Sequence, residues 1–168
     1  MSAQVILPPH RFLDGLGIVY QRLSFPTTIE KGAASVAREL GYEERQMVKT
    51  LIFQAGTGER VLVMVGGDQS AVSGLLKKAI GNKNIRMAAA EAVLETTGYE
   101  IGSIPPFHWQ PAGFRSFLEA SLMQYEVLGV GAGQWGEEII MTPAALVQAS
   151  GAEVVNLTDR ERPVRPQK

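Results

Sequence analysis

The sequence predicts a single α+β domain with a mixed, largely antiparallel sheet and flanking helices. Its 168 residues are enough for one domain and too few for two of ordinary size. Strand-like and helix-like segments are interspersed along the chain, and hairpin connections outnumber strand–helix–strand crossovers. We expect the domain to span residues 1–157, followed by a loosely held, charged and proline-bearing tail over residues 158–168.

Helices are predicted where apolar residues recur at helical spacing or where end signals occur. Residues 31–40 show this spacing, and Gly41 provides the C-terminal stop. Thr142 followed by Pro143 is an N-cap with proline at the first helical position. In chain order the predicted helices are 10–16, 31–40, 70–80 with Asp68 or Ser70 as its cap, 88–96 and 144–149.

Strands are predicted where apolar and β-branched residues cluster between turn signals. In chain order they are 18–25, 47–55, 61–65, 85–87, 115–119, 126–130, 137–141 and 154–155. Gly56, Thr57 and Gly58 form the turn of one hairpin. Residues 102–106 (GSIPP) hold one glycine and two prolines, so this segment is predicted to be a shaped loop.

The composition excludes several classes of catalytic site. The chain has no cysteine, which excludes disulfides, thiolate zinc sites and a cysteine nucleophile. Its two histidines, His10 and His108, are far apart and show no H-E-x-x-H spacing, and no serine lies in a G-x-S-x-G elbow. We therefore expect no metal and no cofactor. His108 and Glu119 are given ordinary packed or solvated roles.

Charge and hydropathy limit the choice of partners. A net charge of −1 argues against a protein that coats DNA or RNA, although it permits one that grips the end of an RNA. Basic residues cluster locally and either contact RNA phosphates or are merely solvated: Lys77, Lys78, Lys83 and Arg86, then Arg160, Arg162, Arg165 and Lys168. Residues 1–13 lack the features of a signal peptide, and no apolar run is long enough to cross a bilayer, so we expect a cytoplasmic protein without a membrane partner.

Lys49 is the most informative single residue. In a strand over residues 47–55, odd-numbered side chains share one face and even-numbered side chains share the other. Both faces are otherwise largely apolar, so Lys49 interrupts a hydrophobic row. One interpretation is an edge-strand lysine whose stem packs while its ammonium group reaches water. The other is a cation at the lip of a pocket that holds a carbonyl, a ribose hydroxyl or a phosphate.

Residues 131–136 (GAGQWG) match the dinucleotide-binding pattern G-x-G-x-x-G. That fingerprint requires a helix to follow, because the helix N-terminus receives the pyrophosphate. Here residues 137–141 are predicted to be a strand. We therefore interpret the match as a glycine-rich turn, and a nucleotide-dependent enzyme ranks well below the other candidates.

Three segments in order resemble the YbaK/prolyl-tRNA-synthetase-associated domain family. They are 48–52 (VKTLI), 97–106 (TGYEIGSIPP) and the late glycine turn, strand and helix that begin at Gly131 and include Thr142, Pro143 and Leu146. The resemblance covers roughly residues 9–155. It implies an enzyme that removes wrong amino acids from tRNA, chiefly alanine or cysteine from tRNA for proline, with the tRNA 3′ end as partner and prolyl-tRNA synthetase as a further one.

Site residues follow from the same resemblance. Lys49, Gly102 and Ser103 are implied to be catalytic, with backbone amides of the 102–106 loop facing the substrate ester. The implied substrate-binding residues are Thr50, Gly98, Ile104, Pro105, Pro106, Gly131, Ala132 and Gly133.

The chain departs from the family pattern in three places. Ser103 replaces a second glycine, Glu119 stands where many relatives carry aspartate, and Glu138 aligns near a histidine of the synthetase insertion. A non-catalytic module that binds an amino acid or tRNA, in partnership with a synthetase, is therefore the alternative function.

Overall fold

The chain folds as α+β, in a computed structural model that describes residues 5–158. The described residues form the helices α1 (Pro8–Leu16), α2 (Ala33–Leu40), α3 (Ser73–Ile80), α4 (Ala90–Thr97) and α5 (Pro143–Ser150). The strands are β1 (Gln21–Ser24), β2 (Lys49–Ala55), β3 (Arg60–Val65), β4 (Ile85–Met87), β5 (Ser116–Glu119), β6 (Leu128–Gly131), β7 (Glu137–Met141) and β8 (Glu153–Val155). The predicted fold class is confirmed.

The strands form two sheets, whereas the sequence predicted one. The larger sheet has the order β4-β2-β3-β5-β8, and the smaller has the order β1-β7-β6. The β3–β5 and β5–β8 pairs are parallel, and the other named pairs are antiparallel. An isolated bridge between Met47 and Gly129 links the residue stretch before β2 to β6, so the two sheets meet at that point.

The core follows from the alternation of side chains along β3. Leu62 and Met64 pack between the two sheets, together with residues of β6, β7 and α5. Val61, Val63 and Val65 face the other side of the larger sheet, where α3 covers them. A third cluster lies between α2 and the smaller sheet. The central strand β3 is thus covered on both faces, whereas the edge strands β4 and β8 are partly exposed.

Two predicted elements differ from the structure. Helix α3 begins at Ser73, and neither Asp68 nor Ser70 caps it, because the Asp68 carboxylate pairs instead with the guanidinium of Arg45. The first strand covers Gln21–Ser24 only, since residues 18–20 precede any pairing with β7. Helix α5 is confirmed, with the Thr142 hydroxyl accepting a hydrogen bond of 3.1 Å from the Ala145 N–H.

The end of the domain is held at Thr158, whose backbone N–H donates to Glu119 Oε1 over 3.1 Å. The rest of the predicted tail, residues 159–168 with its four basic side chains, lies outside the described residues. Among the helices that the structure describes, none is long and apolar enough to cross a membrane.

Candidate functional site

A cavity of about 560 Å³ opens where the two sheets meet. It lies at the start of β2, beside the bridge that joins the sheets. Five parts of the chain contribute to its wall: Phe25, the segment that leads into α2, residues 47–51, residues 101–104 and several residues between 131 and 138. Because each segment is anchored in a different packed element, the cavity is preformed rather than assembled from one loop.

Lys49 is the first residue of β2 and lines this cavity. Its side chain is half-buried, and it forms no ion pair with any residue that the structure describes. The hydrogen bond from Arg45 is the main cause that lowers the pKa of Asp68, and the charge of Lys49 contributes to the same shift. Lys49 has no ion-pair partner among the described residues, and it lies at a cavity. Its position fits the interpretation of a cation at the lip of a pocket.

The loop of residues 102–106 is held by its carbonyl oxygens. The Ser103 oxygen accepts from the Gly133 N–H over 2.8 Å, and the Pro105 oxygen accepts from Trp109 Nε1 over 2.6 Å. The Pro106 oxygen accepts from Gln110 Nε2 over 2.8 Å. Within residues 5–158, no hydrogen bond occupies the backbone N–H groups of residues 102–104. The loop is thus held through its carbonyl groups, while the N–H groups of residues 102–104, which line the cavity, have no protein partner among the described residues.

Tyr99 and His108 brace this loop from behind. The Tyr99 hydroxyl and His108 Nε2 are hydrogen-bonded at 2.6 Å. His108 has a φ of 81°, and among the described residues it is the only non-glycine with a positive φ. The Tyr99 ring also lies where a side chain at Gly133 would have to be. Burial lowers the pKa of His108, which favours the neutral imidazole.

The structure brings together six of the residues that the sequence singled out. Lining the cavity are Lys49, Thr50, Gly102, Ser103, Ile104 and Gly131. The Thr50 hydroxyl is buried and has no hydrogen-bond partner in the described part of the chain.

Five other predicted site residues lie outside the cavity wall. Gly98 ends α4 in a left-handed conformation. Pro105 and Pro106 are buried and hold the loop through their carbonyl oxygens. Ala132 is buried, and Gly133 donates to the loop. Of these residues, Pro105, Pro106 and Gly133 hold the 102–106 loop in place.

Glu138 is a cavity residue that the sequence analysis did not assign to the site. Its side chain lines the cavity, yet the residue is only 8% exposed. Burial raises the pKa of its carboxyl to about 8, so the neutral acid prevails at pH 7. A usable signal was present, because Glu137 and Glu138 are adjacent on a strand and one of them must point inward. Glu137 also lines the cavity, but its carboxylate pairs with the guanidinium of Arg22 over 2.9 Å.

Lys31 and Trp135 also line the cavity and were not predicted to do so. Trp135 lies in the turn between β6 and β7, which the sequence analysis interpreted only as a glycine-rich connection. That interpretation is confirmed, since β6 and β7 are antiparallel neighbours and no helix follows Gly136. No short-range pattern indicated that the side chains of this turn face the cavity.

The solvated role expected for Glu119 is wrong. The residue is 1% exposed, and its carboxylate accepts hydrogen bonds from the backbone of Ser121, Leu157 and Thr158. Burial raises the pKa of this carboxyl, but the hydrogen bonds together outweigh it and lower the pKa. Glu119 thus joins the end of β5 to the C-terminal strand region and lies outside the cavity.

Comparison with known proteins identifies relatives of the whole domain. A model of the aminoacyl-tRNA editing domain family matches residues 30–149. EbsC of Enterococcus faecalis, a candidate Cys-tRNA(Pro)/Cys-tRNA(Cys) deacylase, is 30% identical over 129 residues, which are 77% of this chain and 78% of EbsC. The resemblance found in the sequence is confirmed.

A proline–tRNA ligase and a solved structure are also similar to this chain. The proline–tRNA ligase of Pelobacter propionicus is 34% identical over 76 residues, which are 45% of this chain and 13% of the ligase. The chain therefore matches a small part of that enzyme. The crystal structure of a candidate trans-editing enzyme for prolyl-tRNA synthetase superposes with a TM-score of 0.81 at 26% identity, covering 90% of this chain and 95% of that one.

Proposed function

Because this chain belongs to the aminoacyl-tRNA editing domain family, we propose that it hydrolyses the ester bond of mischarged tRNA, namely tRNA for proline carrying alanine or cysteine. The name of EbsC supports cysteine as the amino acid removed, and the ligase and trans-editing relatives support tRNA for proline. We propose that it acts in trans, with prolyl-tRNA synthetase as partner.

The observation that carries this proposal is that Lys49 and the unbonded backbone N–H groups of residues 102–104 belong to residues lining the same cavity. An aminoacyl ester is already activated, so its hydrolysis requires an oriented water and stabilisation of the developing oxyanion. The rigid backbone donors fit the oxyanion, since their positions are set before substrate binds. The ammonium group of Lys49 orients the aminoacyl-tRNA end, and no covalent intermediate is needed.

The dimensions of the cavity fit this substrate. A volume of about 560 Å³ lies within the range of roughly 300–1,000 Å³ that is usual for sites enclosing a ligand. An alanine or cysteine side chain fills a small part of it, so the terminal ribose and base have room in the remainder. Discrimination by size is strongest against residues too large to enter, because preference for one extra methylene is worth only ~1–3 kcal/mol.

The decisive experiment is single-turnover deacylation of tRNA for proline carrying alanine, cysteine or proline. We expect wild type to release alanine or cysteine and to spare proline. Lys49→Ala should slow hydrolysis by about 10²-fold, comparable to the loss of one important electrostatic contact. Lys49→Arg retains the positive charge, and Arg11→Ala on the exposed face of α1 controls for the loss of one basic side chain.

Two outcomes contradict the proposal in different ways. Full activity of Lys49→Ala would show that the lysine does not orient the substrate. If wild type hydrolyses none of the three substrates, the non-catalytic binding module becomes the better function, and the replacement of the second loop glycine by Ser103 would be its structural basis.

A further inference from the structure

An indole ring from the turn between β6 and β7 and a lysine from the segment before α2 meet at the wall of the cavity. The ammonium nitrogen of Lys31 lies 4.5 Å from the centroid of the Trp135 ring. Both side chains line the same cavity as Lys49. The two residues are far apart in sequence, so the fold brings an aromatic surface and a positive charge together at this wall.

The Trp135 ring is held in place without any ligand. Its Nε1–H donates to the carbonyl oxygen of Thr27 over 3.0 Å, and Phe25 packs against it edge-on with ring centroids 4.7 Å apart. The ring is half-buried against the cluster between α2 and the smaller sheet. A large aromatic side chain that is fixed and still partly exposed is suited to receive a planar group.

The two ends of the cavity differ in character. Met47 and Glu138 form a buried end, because they are only 2% and 8% exposed. Trp135 is half-buried and follows the exposed Gln134 in a turn, so it lies closer to solvent than Met47 and Glu138 do. A ligand that enters amino acid first therefore has its larger, following part beside Trp135.

The chemistry of this pair matches a nucleotide. A base offers a π face that stacks on indole without regard to sequence, and the adjoining phosphate requires a cation. Lys31 is exposed, and a cation–π contact of an exposed lysine is weak, so a base can displace the ammonium group from the ring. The displaced ammonium remains close enough to the ligand to approach its phosphate.

Building on the proposed function, we propose that Trp135 stacks against the terminal base of the tRNA and that Lys31 binds the phosphate beside it. The pair then holds the 3′ nucleotide while residues near Lys49 act on the ester. Neither role depends on the reading of tRNA sequence, because stacking and phosphate contact are available to any base.

The test measures binding of uncharged RNA, so it does not require hydrolysis. A fluorescently labelled RNA hairpin ending in CCA is titrated with protein and compared with a hairpin whose last ribose lacks its base. Trp135→Leu should weaken binding of the intact end by about tenfold or more and leave the abasic end unchanged. Trp135→Phe retains a stacking ring and should retain most of the affinity.

Lys31→Ala provides the matched arm. It should weaken the binding of both hairpins by the same factor. It should also reduce the slope of log affinity against log salt by the amount expected for about one phosphate contact. Adenosine monophosphate is titrated separately. If it competes as effectively as the CCA hairpin, the wall is a mononucleotide site, and the assignment to the tRNA end is overturned.

Comparison of the intact and abasic hairpins can also contradict the role proposed for Trp135. Equal binding of intact and abasic hairpins by wild type, or an equal loss for both in Trp135→Leu, would show that Trp135 does not contact the base. Deacylation by wild type together with base-independent binding would refute this inference alone. Base-dependent binding without any deacylation would refute the proposed activity while leaving the binding role of Trp135 intact.

Discussion

The backbone N–H of Gly133 donates a hydrogen bond of 2.8 Å to the carbonyl oxygen of Ser103. This bond ties the loop after α4 to the turn between β6 and β7, although the two segments are distant in sequence. Gly131 lies at the same junction, and a Cβ there would come within 2.9 Å of the carbonyl carbon and oxygen of Ser103. The position of the loop therefore depends on the absence of a side chain in the turn.

Gly131→Ala should impair deacylation because the added methyl group pushes against backbone that cannot move aside. We expect a loss of about tenfold or more in the hydrolysis rate, since the oxyanion donors must be correctly placed. Single-turnover deacylation measures the effect, and thermal melting shows whether the fold persists. Gly74→Ala is the control, because nothing lies within 4 Å of a Cβ at Gly74. An unchanged rate for Gly131→Ala would mean that the loop does not supply the donors.

Most of the helices and strands could be predicted from the sequence, because the residues that start and end each one lie close together in the chain. The helical spacing before Gly41 and the Thr142–Pro143 start of α5 depend on a few neighbouring residues, and both appear in the structure. The division into two sheets depends on long-range pairing, which no local pattern encodes. The same limit applies to Trp135, whose partner Lys31 is distant in sequence. The burial of Glu119 was missed because two of its hydrogen-bond donors, Leu157 and Thr158, lie in the C-terminal segment.

Replacement of His108 tests whether an imidazole takes part in the chemistry. His108→Ala and Tyr99→Phe remove the same 2.6 Å hydrogen bond, so each should lower the free energy of unfolding by about 1 kcal/mol. The double variant should lose little more than either single one, because the residues share one interaction. We expect deacylation by His108→Ala to fall less than about tenfold, far less than in Lys49→Ala. A loss as large as that of Lys49→Ala would identify His108 as a catalytic group.

The salt dependence of tRNA binding reports how many phosphates the protein contacts. Lys77, Lys83 and Arg86 surround a shallow cavity of about 350 Å³ beside β4, and they form no ion pair with any described residue. We expect a slope of about −2 to −4 in a plot of log affinity against log salt. Replacing all three by alanine should flatten the slope by about 2–3 units, whereas Arg11→Ala on α1 should not. A slope near about −8 would indicate a much larger contact surface.

Glu138 should make the stability of the protein depend on pH. Burial raises the pKa of its carboxyl from 4.5 to about 8, so the folded chain binds this proton more tightly than the unfolded chain does. The free energy of unfolding should therefore fall as the pH rises from about 4.5 to about 8, by on the order of 3–5 kcal/mol in total. Glu138→Gln removes the ionisation and should remove this part of the pH dependence.

Urea denaturation of wild type and Glu138→Gln at about pH 5 and about pH 9 measures that difference. We expect the free energy of unfolding of Glu138→Gln to increase relative to that of wild type as the pH rises. The amide remains neutral, whereas the carboxyl must ionise in a buried site. Glu91→Gln, at an exposed position on α4, controls for the removal of one carboxyl group. A stability difference that is the same at both pH values would show that Glu138 is already ionised in the folded protein. A neutral carboxyl can donate a hydrogen bond, whereas an ionised Glu138 would present a negative charge to the cavity.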